Sequence, residues 1–272
     1  MIVFPNCKIN LGLNVLRKRE DGYHDIETCF LPIQLTDALE IVRAKTSTQF
    51  TATGLYAGND ADNLCLKAYH LLKKDFTQIS EVSMHLHKVI PAGAGLGGGS
   101  ADAAFTLELL NKIFNLDIPL EQISVYALQL GSDCPFFLIN RPCIATGRGE
   151  LLKEITLCLK DYSIALINPG IHISTGMAFR NIEPFVPGKN IEQIIAQPIE
   201  TWKDDLKNDF EKYVFERYPA VKKIKEDLYR EGALYASLSG SGSTVFGIFD
   251  KKSPVTYKPL PEYYFKVVNP VE

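Results

Sequence analysis

Six of the seven residues from Gly93 to Gly99 are glycine or alanine, and Leu96 is the exception. A hydrophobic core has no use for such a run, because each glycine costs backbone entropy on folding. Five glycines, Gly93, Gly95, Gly97, Gly98 and Gly99, imply a place where side chains would obstruct something. The chemistry that needs bare backbone is anion binding, with N–H groups closing on the guest. A helix that begins at Ser100 would add its free N–H groups and its dipole, which makes phosphate the natural ligand.

Two better-known phosphate loops fit less well. A Walker A loop ends in G-K-[ST], whereas Gly99 is followed directly by Ser100 with no lysine. Gly93, Gly95 and Gly98 satisfy G-x-G-x-x-G between a strand and a helix. That fingerprint also requires an acidic residue about 20 positions on, at the end of a second strand. Asp117 stands near that distance, but in a Leu-Asp-Ile-Pro link between helices. Other reactive side chains carry less. His85 and His87 share one face of a strand without a third ligand nearby and read as ordinary strand histidines. Cys7, Cys29, Cys65, Cys134, Cys143 and Cys158 are scattered, with no C-x-x-C pair, and read as reduced, mostly buried thiols. Neither Cys134 nor Cys7 has an evident histidine partner, so thiol catalysis is not expected.

The chain of 272 residues, 46% hydrophobic and 22% charged, has the composition of a soluble globular protein. It contains no apolar run long enough to span a membrane and no basic, apolar leader, so a cytoplasmic location is expected. A net charge of −3 without a basic stripe disfavours nucleic acid as a partner. Strands are expected at Ile2 to Val15, through Ile26 to Ile33, at Leu39 to Ala44 and at Gln49 to Thr53, with a turn at Arg17 to Gly22. Asp62 is the expected cap of a helix whose apolar face is Leu64, Ala68, Leu71 and Leu72. A strand from Val82 to Val89 leads into the glycine loop, and the helix after it buries Ala103, Ala104, Leu107, Leu110 and Phe114. Pro119 opens a helix ending near Leu130. Beyond it lie a strand at Tyr162 to Ile167, a short helix at Ser174 to Asn181, and one or two helices across Leu206 to Arg230, interrupted at Pro219. A strand at Ala236 to Ser239, a glycine turn at Gly240 to Ser243 and a strand at Thr244 to Phe249 close the pattern. The fold class is α+β, with a division near Leu152 to Leu159.

The string P-A-G-A-G-L-G-G-G-S-A-D-A-A, Pro91 to Ala104, closely resembles the second motif of the GHMP small-molecule kinases. C-K-I-N-L-G-L-N-V, Cys7 to Val15, resembles that family's first motif, and S-L-S-G-S-G-S-T-V-F, Ser237 to Phe246, its third. The three stand in the family's order across almost the whole chain. The resemblance implies a two-domain fold, here 1–152 and 153–272, with the active site in the interdomain cleft. It also implies ATP as phosphate donor, with Mg²⁺. Pro91, Ala92, Gly93, Ala94, Gly95, Leu96, Gly97, Gly98, Gly99, Ser100 and Ala101 would then cradle the nucleotide.

Within the family, R-E-D-G-Y-H-D-I at Arg19 to Ile26, D-N-L at Asp62 and L-G-S-D-C-P-F-F at Leu130 to Phe137 sharpen the resemblance. They are similar to members that phosphorylate the 2-hydroxyl of a cytidine diphosphate-linked methylerythritol in non-mevalonate isoprenoid synthesis. The family's catalytic pair falls on Lys8 and Asp133: Asp133 as general base, Lys8 beside it holding the carboxylate ionised. By the same resemblance Tyr23 stacks on the cytosine, His24 hydrogen-bonds it, and Phe179 closes its other side. Thr175 faces the substrate, and Asn10, two residues after Lys8 on one strand face, is a polar contact. Asp102 either points away from the phosphates or helps hold Mg²⁺, and the metal ligands stay open. So does the oligomeric state, monomer or homodimer. The rival readings are a kinase of mevalonate or homoserine, against which the D-G-Y-H turn argues, and a nucleotide-binding relative that has lost the reaction.

Overall fold

Val82, Met84, Leu86 and Lys88 are buried while the residues between them are not, so one strand alternates between a core and an outer face. That strand is the hub of the first sheet in the computed structural model, which describes residues 1–56, 62–253 and 255–271. In chain order the elements begin with strands β1 (Ile2–Val3), β2 (Asn6–Lys18), β3 (His24–Thr36), β4 (Ala38–Arg43) and β5 (Gln49–Gly54). Helix α1 (Leu64–Asp75), strand β6 (Val82–Lys88) and helices α2 (Gly98–Phe114), α3 (Leu120–Leu130) and α4 (Cys134–Ile139) follow. Next come β7 (Cys143–Thr146), β8 (Leu151–Glu154) and β9 (Tyr162–Asn168), then α5 (Thr175–Arg180), α6 (Ile191–Ile195) and α7 (Trp202–Asp205). The chain ends in α8 (Phe210–Arg217), α9 (Pro219–Arg230), β10 (Tyr235–Leu238), β11 (Val245–Asp250) and β12 (Tyr264–Val268). The class is α+β, as expected.

The chain forms two compact units. One comprises Met1–Cys7, Leu35–Ala92 and Gly97–Asn140; the other comprises Lys8–Gln34, Gly93–Leu96 and Arg141–Glu272. They interleave in sequence because β2 and β3 share a sheet with β7 and β8, in the order β2-β3-β7-β8. The division at residue 152 is a statement about chain order and stays a proposal beside these units.

In the first unit the sheet order is β1-β4-β6-β5, with β6 antiparallel to β4 and parallel to β5. The buried residues of β6, with Leu39 and Ile41 of β4, form the core with Ala103, Ala104, Leu107 and Leu110 of α2 and Ala68 and Leu72 of α1. His85 and His87 share the opposite face of β6, where they hydrogen-bond Thr51 and Thr53 of the neighbouring strand. The second unit holds the antiparallel sheet β10-β11-β9-β12. Val221, Ile224 and Leu228 recur at helical spacing on α9 and pack with Phe210, Val214, Ile167 and Val245 in one core. Pro219 ends one helix and starts the next, because the residue before a proline is pushed out of the helical region. Tyr218 accordingly has φ −129° and ψ 77°.

Several boundaries differ from the sequence expectation. Pro5 separates the two-residue β1 from β2, and β2 runs on to Lys18 through the start of the expected turn. Helix α2 starts at Gly98, two residues before Ser100, because Gly97 at φ 70° can make the left-handed turn into it. Short α4, β7, β8, α6, α7 and β12 were not anticipated. The cap of α1 is Asn63, whose Oδ1 accepts from the Cys65 N–H at 2.9 Å, and not Asp62. Asp62 is instead exposed and paired with Lys67 at 3.1 Å. Replacing Asn63 by alanine should therefore cost about 0.5–2 kcal/mol of stability in urea unfolding. Asp62→Ala should cost less than about 0.5 kcal/mol, the usual worth of an exposed ion pair.

Candidate active site

In the first unit the chain enters the glycine loop from β6 through Pro91 and Ala92 and leaves it at the start of α2. The N-cap is Gly97, and no side chain caps the helix. The N–H groups of its first turn, Gly98, Gly99 and Ser100, are thus offered outward, and the Ala101 N–H makes the first helical bond, to Gly97 O at 2.9 Å. Gly99 is exposed, and a β-carbon placed on it would meet only Leu64 Cδ1, at an ordinary 3.7 Å. Packing does not require glycine at that position.

Asp133 stands in the same unit, half-buried at the N-terminus of α4, in a turn closed by the Cys134 N–H donating to Gly131 O at 3.1 Å. Its neighbour Cys134 is buried and hydrogen-bonded with Ser100, which ties the aspartate's turn to the first turn of α2. Burial pushes the Cys134 thiol up to about 12, a direction opposite to that of a nucleophilic cysteine.

Below the loop, alternation along β6 places Lys88 on the core side, 4% exposed. Its ammonium donates to Asp37 Oδ2 and, at 2.7 Å, to Asp102 Oδ2. Burial, with Asp37 adding to it, lifts the Asp102 carboxyl to about 7 against the opposing pull of Lys88. Of the two positions the sequence left open for Asp102, the side chain takes the first. It turns into the core, the side away from the outward N–H groups of the first turn of α2.

In the second unit Lys8 and Asn10 project from one face of β2, both buried. The Lys8 ammonium donates to Asn10 Oδ1 at 2.6 Å and lies 4.7 Å from the centre of the Phe30 ring. Asn10 Nδ2 donates to Thr28 Oγ1 at 3.0 Å, and that hydroxyl donates to Gly12 O at 2.6 Å. The Asn10 N–H donates to Ser239 Oγ at 3.3 Å, and Ser239 Oγ donates to Gly95 O at 2.8 Å. One chain of hydrogen bonds thereby joins the lysine strand, the middle of the glycine loop and the C-terminal glycine turn. The Lys8 N–H donates to Leu96 O at 3.0 Å and the Thr244 N–H to Ala94 O at 3.3 Å, which fix the loop on either side. Asn168 donates to the hydroxyls of Ser243 and Thr244, and Asn208 donates to the carbonyls of Leu238 and Gly240.

Tyr23 is 53% exposed at the β2–β3 turn, with the Arg148 guanidinium 4.6 Å from its ring centre. His24 stacks on Phe179 at 4.9 Å and 15°, and Phe179 meets Phe210 edge-on at 4.9 Å. The structure thus brings His24 and Phe179 together, while the ring of Tyr23 has Arg148. Partial burial and nearby Lys18 lower the pKa of His24, leaving at neutral pH an imidazole with one donor and one acceptor. Thr175 Oγ1 lies 2.9 Å from Ser241 Oγ, so its hydroxyl joins the same glycine turn. Among the described residues no three histidine, cysteine, aspartate or glutamate side chains cluster as a metal centre.

Sequence reasoning missed Thr28, Ser239, Arg148, Asp37 and Lys88. Lys88 left a local signal, a lysine on the buried phase of an alternating strand, and Ser239 lay within the third motif string. The others act through partners far away in the chain.

Comparison with known proteins agrees with this architecture. Residues 63–141 match the GHMP kinases N terminal domain, and residues 190–256 match the GHMP kinases C terminal domain. A protein of Azobacteroides pseudotrichonymphae genomovar. CFP2 named 4-diphosphocytidyl-2-C-methyl-D-erythritol kinase is 49% identical over 271 residues, 99% of each chain. A Cytophaga hutchinsonii protein of the same name is 51% identical over 259 residues, 94% of this chain and 95% of its own. The crystal structure of a 4-(cytidine 5'-diphospho)-2C-methyl-D-erythritol kinase superposes with a TM-score of 0.79 at 29% identity, covering 99% of both chains. A homoserine kinase structure from Cytophaga hutchinsonii, at 14% identity and a TM-score of 0.68 over 92% of this chain and 87% of its own, shares the fold. With strands, glycine loop and C-terminal turn arranged in this way, the chain belongs to the GHMP kinase family.

Proposed function

We propose that this kinase transfers the γ-phosphoryl group of ATP to the 2-hydroxyl of 4-diphosphocytidyl-2-C-methyl-D-erythritol. The observation that carries the phosphate half of this reading is the uncapped N-terminus of α2 opening beside Gly99. Glycine in a helix costs about 1 kcal/mol relative to alanine. The protein's own packing does not demand it at 99, so a close-approaching ligand accounts for it. The names of relatives about half identical over nearly the whole chain support the acceptor.

The residues take their parts as phosphoryl transfer requires. N–H groups from Gly97 to Ala101 hold the phosphates, and Pro91 to Leu96 shape the approach. Asp133 accepts the proton of the 2-hydroxyl as its oxygen bonds to the γ-phosphorus and the bond to the ADP oxygen breaks. Lys8, oriented by Asn10, offsets the charge spreading over the transferred group. Tyr23 and Phe179 hold the cytosine by their faces, His24 reads its edge, and Thr175 contacts the substrate. Mg²⁺, when bound, would add charge neutralisation at the substrate phosphates. The donor set described here does not form a cage for it, since Asp102 is held by Lys88.

Asp133→Asn should leave nucleotide affinity intact and lower kcat by roughly 10²–10⁴-fold. Lys8→Met should do comparable damage, and the double variant should lose less than the product of the two. Steady-state kinetics with calorimetric ATP binding checks this, and full turnover by the Asn variant would remove Asp133 from the mechanism.

Gly99→Ala separates folding from ligand binding. It should unfold no earlier than the parent, because alanine favours the helix and meets only Leu64 at 3.7 Å. Its KM for ATP should nevertheless rise, with the affinity for the cytidyl substrate unchanged. Unaltered ATP kinetics would count against the loop.

Tyr23→Ala should weaken cytidyl substrate roughly five- to 150-fold, from about 1–3 kcal/mol for a base stacked on an aromatic ring. ATP binding should barely move. His24→Ala should instead relax the preference for a cytidyl over a uridyl substrate. The measurement is kcat/KM against the cytidyl and uridyl forms, mevalonate and homoserine. If Tyr23, His24 and Phe179 can each be truncated without effect on the cytidyl form, the acceptor is misassigned.

A further inference from the structure

Lys88 and its two carboxylates are not explained by the chemistry above. All three side chains are buried, with Asp37 at 1%, Asp102 at 2% and Lys88 at 4% exposure. Each sits at a junction with the glycine loop. Lys88 ends β6, the strand that enters the loop. Asp37 lies between β3 and β4, and its Oδ1 accepts from the N–H groups of Val89 at 2.6 Å and Ile90 at 2.9 Å, the first two residues after that strand. Asp102 lies one turn into α2, the helix that leaves the loop. The ammonium lies directly behind the helix start, since a β-carbon on Gly98 would stand 3.4 Å from Lys88 Nζ.

Stability alone is a poor reason for this arrangement. A buried ion pair gains little over well-packed apolar side chains, because desolvation consumes most of the attraction. What charged hydrogen bonds add is direction. The ammonium must lie where both carboxylates can accept, and that ties the two ends of the loop to a single point. The Asp102 carboxylate has one further peculiarity: Oδ1 is buried without a hydrogen-bond partner among the described residues. Oδ2 accepts from Lys88, and that bond is the side chain's link between α2 and β6.

We propose that Asp102, acting through Lys88 and Asp37, is a positioning residue that sets the N-terminus of α2 for the phosphates of ATP. The inference rests on the reading that Gly97 to Ala101 bind those phosphates. Asp102 does not touch the nucleotide; it acts by holding the first turn of α2 against the end of β6. Because burial lifts its carboxyl to about 7, a neutral acceptor should serve nearly as well as the acid.

The test compares two substitutions that leave the Lys88–Asp37 pair intact and so should both fold. Asp102→Ala removes the acceptor, and Asp102→Asn keeps one for Lys88. Calorimetric titration with ATP should show about tenfold weaker binding for the alanine variant, equivalent to about 1.4 kcal/mol, and recovery to within about threefold of the parent for the asparagine variant. Thermal unfolding of the two variants should agree within about 5 °C. Affinity for the cytidyl substrate should be the same in both. A purely structural role would make ATP affinity follow the unfolding temperature and would weaken both ligands together. Asp102→Ala binding ATP as tightly as the parent, or Asp102→Asn failing to recover, would overturn the proposal. If the parent itself does not bind ATP, it is the phosphate reading of the loop that fails.

Discussion

The carbonyl of Ser239 approaches Gly95 so closely that a β-carbon on that glycine would lie 1.9 Å from the oxygen. The converse contact is as tight, for a β-carbon on Gly242 would lie 2.2 Å from Ala94 C. Two glycine-rich segments, distant in sequence, thus pack backbone against backbone in the second compact unit. Ser239 Oγ bonds Gly95 O and accepts from Asn10, and Asn10 in turn orients Lys8. Without the close approach of the two backbones, that network would have no anchor. The glycines of the loop therefore serve two purposes. Gly95 is bare because the protein itself comes near. Gly99 is bare where the protein leaves room.

Each compact unit buries a lysine, Lys88 in the first and Lys8 in the second. Lys88 is held by two carboxylates, which neutralise it and make it a strut. Lys8 donates to the amide of Asn10 and rests on the face of Phe30, contacts that orient its ammonium.

The aromatic group at the β2–β3 turn is held by charged neighbours on one side and by the core on the other. Arg17 and Arg19 pair with Asp25, and Arg19 also with Asp21, while the Asp21 carboxylate accepts from the Tyr23 N–H at 3.1 Å. Exposed pairs of this kind add little to stability. Together they shape the turn so that Tyr23 projects, with Arg148 against its ring. His24 and Phe179 rest on each other and on Phe210, which makes Phe179 part of the core edge as well as a candidate ligand contact.

Local patterns carried much of this protein in the linear sequence. The glycine density, the helix that follows it, the alternation along β6 and the helix break at Pro219 were legible because each depends on neighbours within one or two turns. The three motif strings, and through them the family, were legible for the same reason. Tertiary structure alone decided the rest. Asp37 meets Lys88 across 51 residues, Ser239 meets Gly95 across 144, and Arg148 meets Tyr23 with most of the first unit's chain between them. Such contacts leave no periodic trace, and an isolated aspartate or serine looks the same whether it faces water or holds a buried strand. The cap of α1 shows the limit at the smallest scale: Asp62 and Asn63 are both good capping types, and only the path of the backbone decided which oxygen reached the Cys65 N–H. Sequence determined the long periodic helices and strands and the bare loop, because those are properties of the chain's immediate chemistry, while short elements such as α4 and β12 carry too few residues to show a period. Which carbonyl would press on Gly95, and which carboxylates would share Lys88, was settled only by the folding that brought distant segments into contact.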